Sequence, residues 1–132
     1  MEKWEEVQEN TIPCGKYCVL LRNGEETGLF IELENVEYSI KINFGAVSAL
    51  RMFDEGVLLQ NIFNQNVLSN YKKDNFSNVI YKVTDGEFGK LIKTSCNELY
   101  DYLELNHFVI VTMNYVIEVV SKWEPCVEVN RK

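Results

Sequence analysis

Apolar residues in the first part of the chain recur at every second position. Tyr17, Val19 and Leu21 alternate with Cys18, Leu20 and Arg22. Asn23-Gly24 opens a turn that closes at Gly28, since both residue types tolerate positive φ. Leu29, Ile31 and Leu33 then alternate with Phe30, Glu32 and Glu34, which predicts a hairpin. Tyr38, Ile40, Ile42 and Phe44 alternate with Glu37, Ser39, Lys41 and Asn43, the pattern of a half-buried strand with one wet face. Ala46 to Phe53 is a fourth apolar run, stopped by Asp54-Glu55-Gly56. Val57 to Phe63 fits a strand or a short helix, and the Asn-, Ser- and Lys-rich stretch from Asn64 to Asn78 reads as a loop. Val79, Tyr81 and Val83 resume the strand period.

The period then changes. Phe88, Leu91, Ile92 and Ser95 follow at helical spacing, and Thr84-Asp85-Gly86-Glu87 has the spacing of a capping box. A helix is predicted from about Asp85 to Ser95, weakened by Gly89 in its interior. Asn97 to Asn106 is a polar connection carrying Tyr100 and Tyr102. His107 to Thr112 is apolar on both faces and so belongs in the middle of a sheet. Tyr115 to Ser121 fits either a strand or a short helix, and Val127 and Val129 suggest a final edge strand. Several strands before a late helix predict an α+β fold: a mainly antiparallel or mixed sheet with one or two helices packed on one face. No repeat or Pro/Gly-rich linker divides the chain, so residues 1–132 are expected to form a single domain.

Composition narrows the function classes. A chain of 132 residues with 46% hydrophobic content can build a core without metals or disulfides. Its formal net charge is −7, which disfavours nucleic acid and anionic membranes and favours a basic protein partner. The N-terminal Met1-Glu2-Lys3-Trp4-Glu5-Glu6 lacks a signal-peptide pattern, and no apolar run approaches a membrane span, so a cytoplasmic location is expected. Cys14, Cys18, Cys96 and Cys126 then read as free buried thiols.

No motif specifies a reaction. Cys14 and Cys18 have zinc-like spacing but lack a second pair, so no metal and no cofactor are expected. His107 is the single histidine; it reads as a hydrogen-bonded residue at a sheet end, not as a catalytic base. Gly86 and Gly89 flank a helix start that could bind an anion, but Glu87 beside them opposes it, so capping is preferred. Arg51 within an apolar run must be paired if buried, and Glu55 stands four residues on. The segment Glu98, Tyr100, Asp101, Tyr102 and Glu104 combines carboxylates with aromatic anchors and is the expected partner-binding patch. The hairpin glutamates Glu25, Glu26, Glu32 and Glu34, with Phe30 as their one anchor, rank second.

Three stretches carry a resemblance. They are Phe44-Gly45-Ala46-Val47-Ser48-Ala49-Leu50-Arg51-Met52-Phe53-Asp54-Glu55-Gly56, His107-Phe108-Val109-Ile110-Val111-Thr112-Met113-Asn114, and Ile117-Glu118-Val119-Val120-Ser121 with Glu124-Pro125. They resemble small proteins of Gram-positive bacteria, some of them similar to immunity proteins that neutralise a cognate polymorphic toxin. The resemblance implies a cytoplasmic α+β inhibitor of a toxin and transfers no site residue. The leading expectation is therefore a non-enzymatic protein-binding domain, an inhibitor of a basic toxin domain. The second is a small-molecule-binding or regulatory domain with a pocket between sheet and helix. A small hydrolase ranks last.

Overall fold

The computed structural model describes residues 3–7, 12–13, 15–54, 79–95 and 105–132. Its elements are β1 (Lys3–Glu6), β2 (Cys18–Gly24), β3 (Gly28–Glu34), β4 (Tyr38–Gly45), β5 (Ala49–Asp54), β6 (Ile80–Thr84), α1 (Glu87–Ser95), β7 (Asn106–Val111), β8 (Tyr115–Ser121) and β9 (Cys126–Arg131). The predicted hairpin forms as β2 and β3, with Val19 opposite Leu33 and Leu21 opposite Ile31. The undecided segment from Tyr115 to Ser121 is strand. Val57 to Phe63 and Asn64 to Asn78 lie outside the described residues.

The strands make two sheets where the sequence suggested one, and every pairing among the described residues is antiparallel. One sheet runs β1-β6-β7-β8-β5 and the other β2-β3-β4-β9. The alternation in β3 and β4 gives the four-stranded sheet one apolar face, which must be covered. Leu29, Ile31, Leu33, Ile40, Ile42 and Phe44 meet Ile80, Phe108, Ile110, Ile117 and Val119 in one buried cluster. Phe44 and Phe108 pack with ring centroids 5.5 Å apart. Burying each such side chain contributes roughly 1.5–3 kcal/mol relative to leaving it exposed.

The five-stranded sheet is apolar on its other face as well. Trp4, Tyr81, Val83, Val109 and Val116 form a second cluster, and Phe88, Leu105 and Val120 a third. This explains why His107 to Thr112 reads as apolar throughout: β7 is the middle strand, with Phe108 and Ile110 on the inner face and His107 and Val109 on the outer one. As expected, β9 is an edge strand.

Two glycines tighten the β3–β4 pair. The pair shifts register between Leu29 and Phe30. There Gly28 has a φ of 73°, and a Cβ added to it would lie 2.3 Å from the Gly45 carbonyl carbon. A side chain at Gly28 would therefore be strained twice, by backbone angle and by contact.

The helix begins two residues later than the capping-box spacing requires. Gly86 is its N-cap, since the Gly86 carbonyl accepts the Lys90 N–H at 3.0 Å. Thr84 thus falls outside the N-cap position, and Gly86 has no side chain to cap the first turn. No helix among the described residues is long and apolar enough to cross a membrane.

Candidate ligand site around His107

Three ionisable side chains meet on the outer face of the five-stranded sheet. Arg51 stands directly opposite Glu118 across β5 and β8. Glu118 opposes Val109 and His107 opposes Val120, so Glu118 and His107 are diagonal neighbours on one face. The register alone brings the three groups within reach. Arg51 Nε donates to Glu118 Oε2, and His107 Nε2 lies 2.7 Å from Glu118 Oε1. Glu118 is 0% exposed, so both of its oxygens need partners, and the two neighbours supply them.

Phe88, in the first turn of α1, closes this cluster. The Arg51 guanidinium lies 4.3 Å from the Phe88 ring centroid and 4.8 Å from that of Phe53. The Phe88 and His107 rings meet edge-on at 5.9 Å. The glycines of the helix start sit against the imidazole. A Cβ at Gly86 would lie 2.7 Å from His107 Nδ1, and one at Gly89 would lie 3.2 Å from it. Glycine at both places lets the helix backbone approach the ring: a side chain at Gly86 would clash with it, and one at Gly89 would fit only tightly.

This packing leaves one nitrogen of His107 unmatched. The residue is 4% exposed, and among the described residues Nδ1 is a buried side-chain polar atom with no hydrogen-bond partner. The expectation of a fully hydrogen-bonded histidine therefore holds for Nε2 alone. Beside the ring is an open cavity of about 190 Å³, lined by Val83, Thr84 and Asp85 at the end of β6, by Gly86, Gly89, Lys90 and Lys93 of the helix, and by Leu105, Asn106 and His107. Asp85 adopts a φ of 59°, turning the chain from β6 into the helix.

The other sequence expectations fall as follows. Glu98, Tyr100, Asp101, Tyr102 and Glu104, the expected partner patch, lie outside the described residues, as does Glu55. Arg51 is paired as required, and its partner is Glu118 across the sheet. The hairpin glutamates are less acidic as a patch than their spacing suggests, because Arg22 pairs with Glu32 and Lys132 approaches Glu34 at 3.8 Å. Cys18 and Cys126 are free, and they are exposed, not buried: each stands on the wet face of an edge strand. Cys14 and Cys96 lie outside the described residues. No group of three or more His, Cys, Asp or Glu among the described residues could hold a metal ion.

Glu118 is the residue that sequence reasoning passed over. Its signal was present: it is the one charged residue within an otherwise apolar strand, Tyr-Val-Ile-Glu-Val-Val-Ser. No protein family, curated protein or solved structure matches the chain.

Proposed function

We propose that the protein is a non-enzymatic binding domain whose ligand seat is the cleft between α1 and the adjoining ends of β6 and β7. In this reading α1 is laid over the outer face of the five-stranded sheet, with Phe88 as its anchor. The observation that carries it is His107: a buried ring fixed by Glu118 through one nitrogen, its other nitrogen unmatched and packed against Gly86 and Gly89, in a residue that helps to line a cavity. Buried polar atoms are almost always satisfied, so an exception calls for a cause, such as strain, a functional role or a bound water or ion. At about 190 Å³ the cavity is smaller than the ~300–1,000 Å³ pockets of drug-sized ligands, so a small molecule or a single functional group fits it. A small-molecule screen read by backbone amide NMR tests the proposal. Binders should shift Thr84, Asp85, Gly86, Gly89 and Asn106 together. A screen whose binders all shift other surfaces, or that finds none, refutes it.

A protein partner is the second reading, favoured by the apolar residues exposed at one end of the sandwich. Met52 and Tyr115 are exposed on adjacent strands, and Met113 is exposed in the β7–β8 turn. Such side chains can anchor an interface, and a net charge of −7 would steer a basic partner. The resemblance to immunity proteins would make that partner a toxin domain, with residues 98–104 as the acidic patch. Association rates measured across a salt series, with Glu98→Lys and Asp101→Lys, test this reading. Rates that ignore both salt and charge reversal exclude steering by that patch.

A further inference from the structure

We infer that the protein self-associates through β2, an edge strand of the four-stranded sheet, which pairs antiparallel with β2 of a second copy about a two-fold axis at Leu20. Among the described residues nothing pairs with the outer side of β2, so that side offers backbone N–H and C=O groups to another strand. This edge belongs to the other sheet from the His107 cleft and works independently of it.

Exposed edges are ordinarily guarded by charge, shortness, proline or a bulge. The other described edges are guarded. β1 has four residues, and Lys3, Glu5 and Glu6 among them are exposed. β5 carries Arg51 and ends on exposed Asp54. β9 has Glu128 midway along its outward face, and a two-fold pairing about that residue would bring two carboxylates together. β2 is seven residues long, pairs with β3 without a register shift and has no charged residue before Arg22. Its middle is apolar on both faces. Val19 and Leu21 pack against the buried core and stay half-buried, and Leu20, on the wet face, is 54% exposed. A single exposed leucine is ordinary on a protein surface. This one sits between Cys18 and Arg22 on the same face, midway along the unguarded stretch.

The strand is also complementary to itself. A continuing sheet keeps its wet faces on one side, so outward residues must pair with outward ones. With the axis at Leu20, Val19 opposes Leu21 twice, Leu20 opposes its own copy, and Arg22 opposes Cys18. An axis at Leu21 would set Val19 against Asn23, and an axis at Val19 would pair only Cys18 to Leu20 within the strand. In the favoured register each Arg22 arrives beside the Cys18 of the second copy, and Cys18 stands opposite Glu34 in its own hairpin. A cation thus approaches a carboxylate, and no like charges face each other. Only Cys18 to Arg22 pair on each side, well short of the ~20–30 residues a side of stable interfaces, so the dimer is weak and transient. The net charge of −7 repels the copies at a distance, and salt that screens it strengthens the association.

Sedimentation equilibrium of the full chain, with reductant, at about 0.15 M salt and from ~10 µM to ~1 mM protein tests this. The weight-average mass should rise above 15.4 kDa towards twice that value. Leu20→Lys sets two ammonium groups face to face at the axis. Because the side chain is exposed the variant keeps its fold, and it should weaken association by about tenfold or more. Leu20→Cys, combined with Cys18→Ser and Cys126→Ser, sets two thiols opposite each other, and mild oxidation should join the introduced thiols of two copies by a disulfide. A chain that stays monomeric at about 1 mM overturns the inference, as does association that Leu20→Lys leaves undiminished. So does an oxidised Leu20→Cys protein whose introduced thiols are not joined to each other.

Discussion

Glu118→Gln is the sharpest perturbation of the buried cluster. The substitution keeps the size of the side chain and one oxygen, but it replaces the other oxygen with an NH₂ group. In the native protein Glu118 is fully buried and accepts from two donors, Arg51 Nε and His107 Nε2. A hydrogen bond to a charged group contributes about 1.5–3 kcal/mol, and breaking a buried ion pair costs about 3–5 kcal/mol. Two features lower that figure. The Arg51 side chain is 28% exposed, so water screens part of its charge and can solvate it once the carboxylate is gone. The remaining amide oxygen can still accept from one of the two donors. The expected cost is therefore about 2–4 kcal/mol, a large fraction of the ~5–15 kcal/mol that holds a domain folded. Urea unfolding followed by tryptophan fluorescence measures it, with an unchanged slope confirming that the denatured state is the same. Arg51→Met supplies the second edge of a cycle. Once the carboxylate is absent, losing the arginine should cost less, giving a coupling of about 1–3 kcal/mol. A Glu118→Gln protein within about 0.5 kcal/mol of the parent, or strictly additive variants, would show that the cluster is not an energetic unit.

Gly86→Ala should destabilise by about 1–3 kcal/mol, because its Cβ would sit 2.6 Å from Val83 Cγ1 and 2.7 Å from His107 Nδ1. Gly89→Ala should be nearly neutral, since a helix gain of about 1 kcal/mol offsets a 3.1 Å contact with His107 Cβ; urea midpoints that reverse this order contradict the packing described. Gly28→Ala should cost at least about 2 kcal/mol from positive φ and backbone contact combined, whereas Gly45→Ala, with open space around its Cβ, should cost only about 1–2 kcal/mol from its φ of 66°. Cys18 and Cys126 should react with a thiol reagent in the folded protein, and Cys18→Ser with Cys126→Ser should lower the number of thiols that react before denaturation by two; an unchanged number would place both thiols in the core.

The strand pattern was legible because it is written residue by residue. Ile40, Ile42 and Phe44 face inward and Lys41 and Asn43 outward, and a period of two allows no other assignment. The helix was legible from Phe88 and Ile92, but its start was not. The capping-box spacing favours Thr84 as the N-cap, and the tight contact between Gly86 and His107 moves it to a residue with no side chain. The division into two sheets was not legible at all. It depends on which strands pair, and β5 finds β8 across a wide gap in sequence. Exposure of the cysteines was missed for a related reason: Cys18 and Cys126 occupy outward positions in alternating strands, and parity, not thiol preference, decides their burial.

The candidate site was present in the sequence as three interruptions. Arg51 interrupts the run that becomes β5, His107 heads the run that becomes β7, and Glu118 splits the run that becomes β8. Taken singly, each invites a local partner, which is how Arg51 came to be matched with Glu55. Taken together, they satisfy one another: a cation, an anion and an imidazole, each inside a strand too apolar to carry it alone. A strand buried on both faces can hold an ionisable residue only if a neighbouring strand supplies the counterpart at the same height. Arg51, His107 and Glu118 meet that need across β5, β7 and β8, with Glu118 on the strand between the other two. The order β7-β8-β5 obeys that condition. What remains unmatched once the three have paired is Nδ1 of His107, which lies against Gly86 and Gly89 at the start of the helix, so the hydrogen bonds that join the three strands leave their one open valence where the helix packs on the sheet.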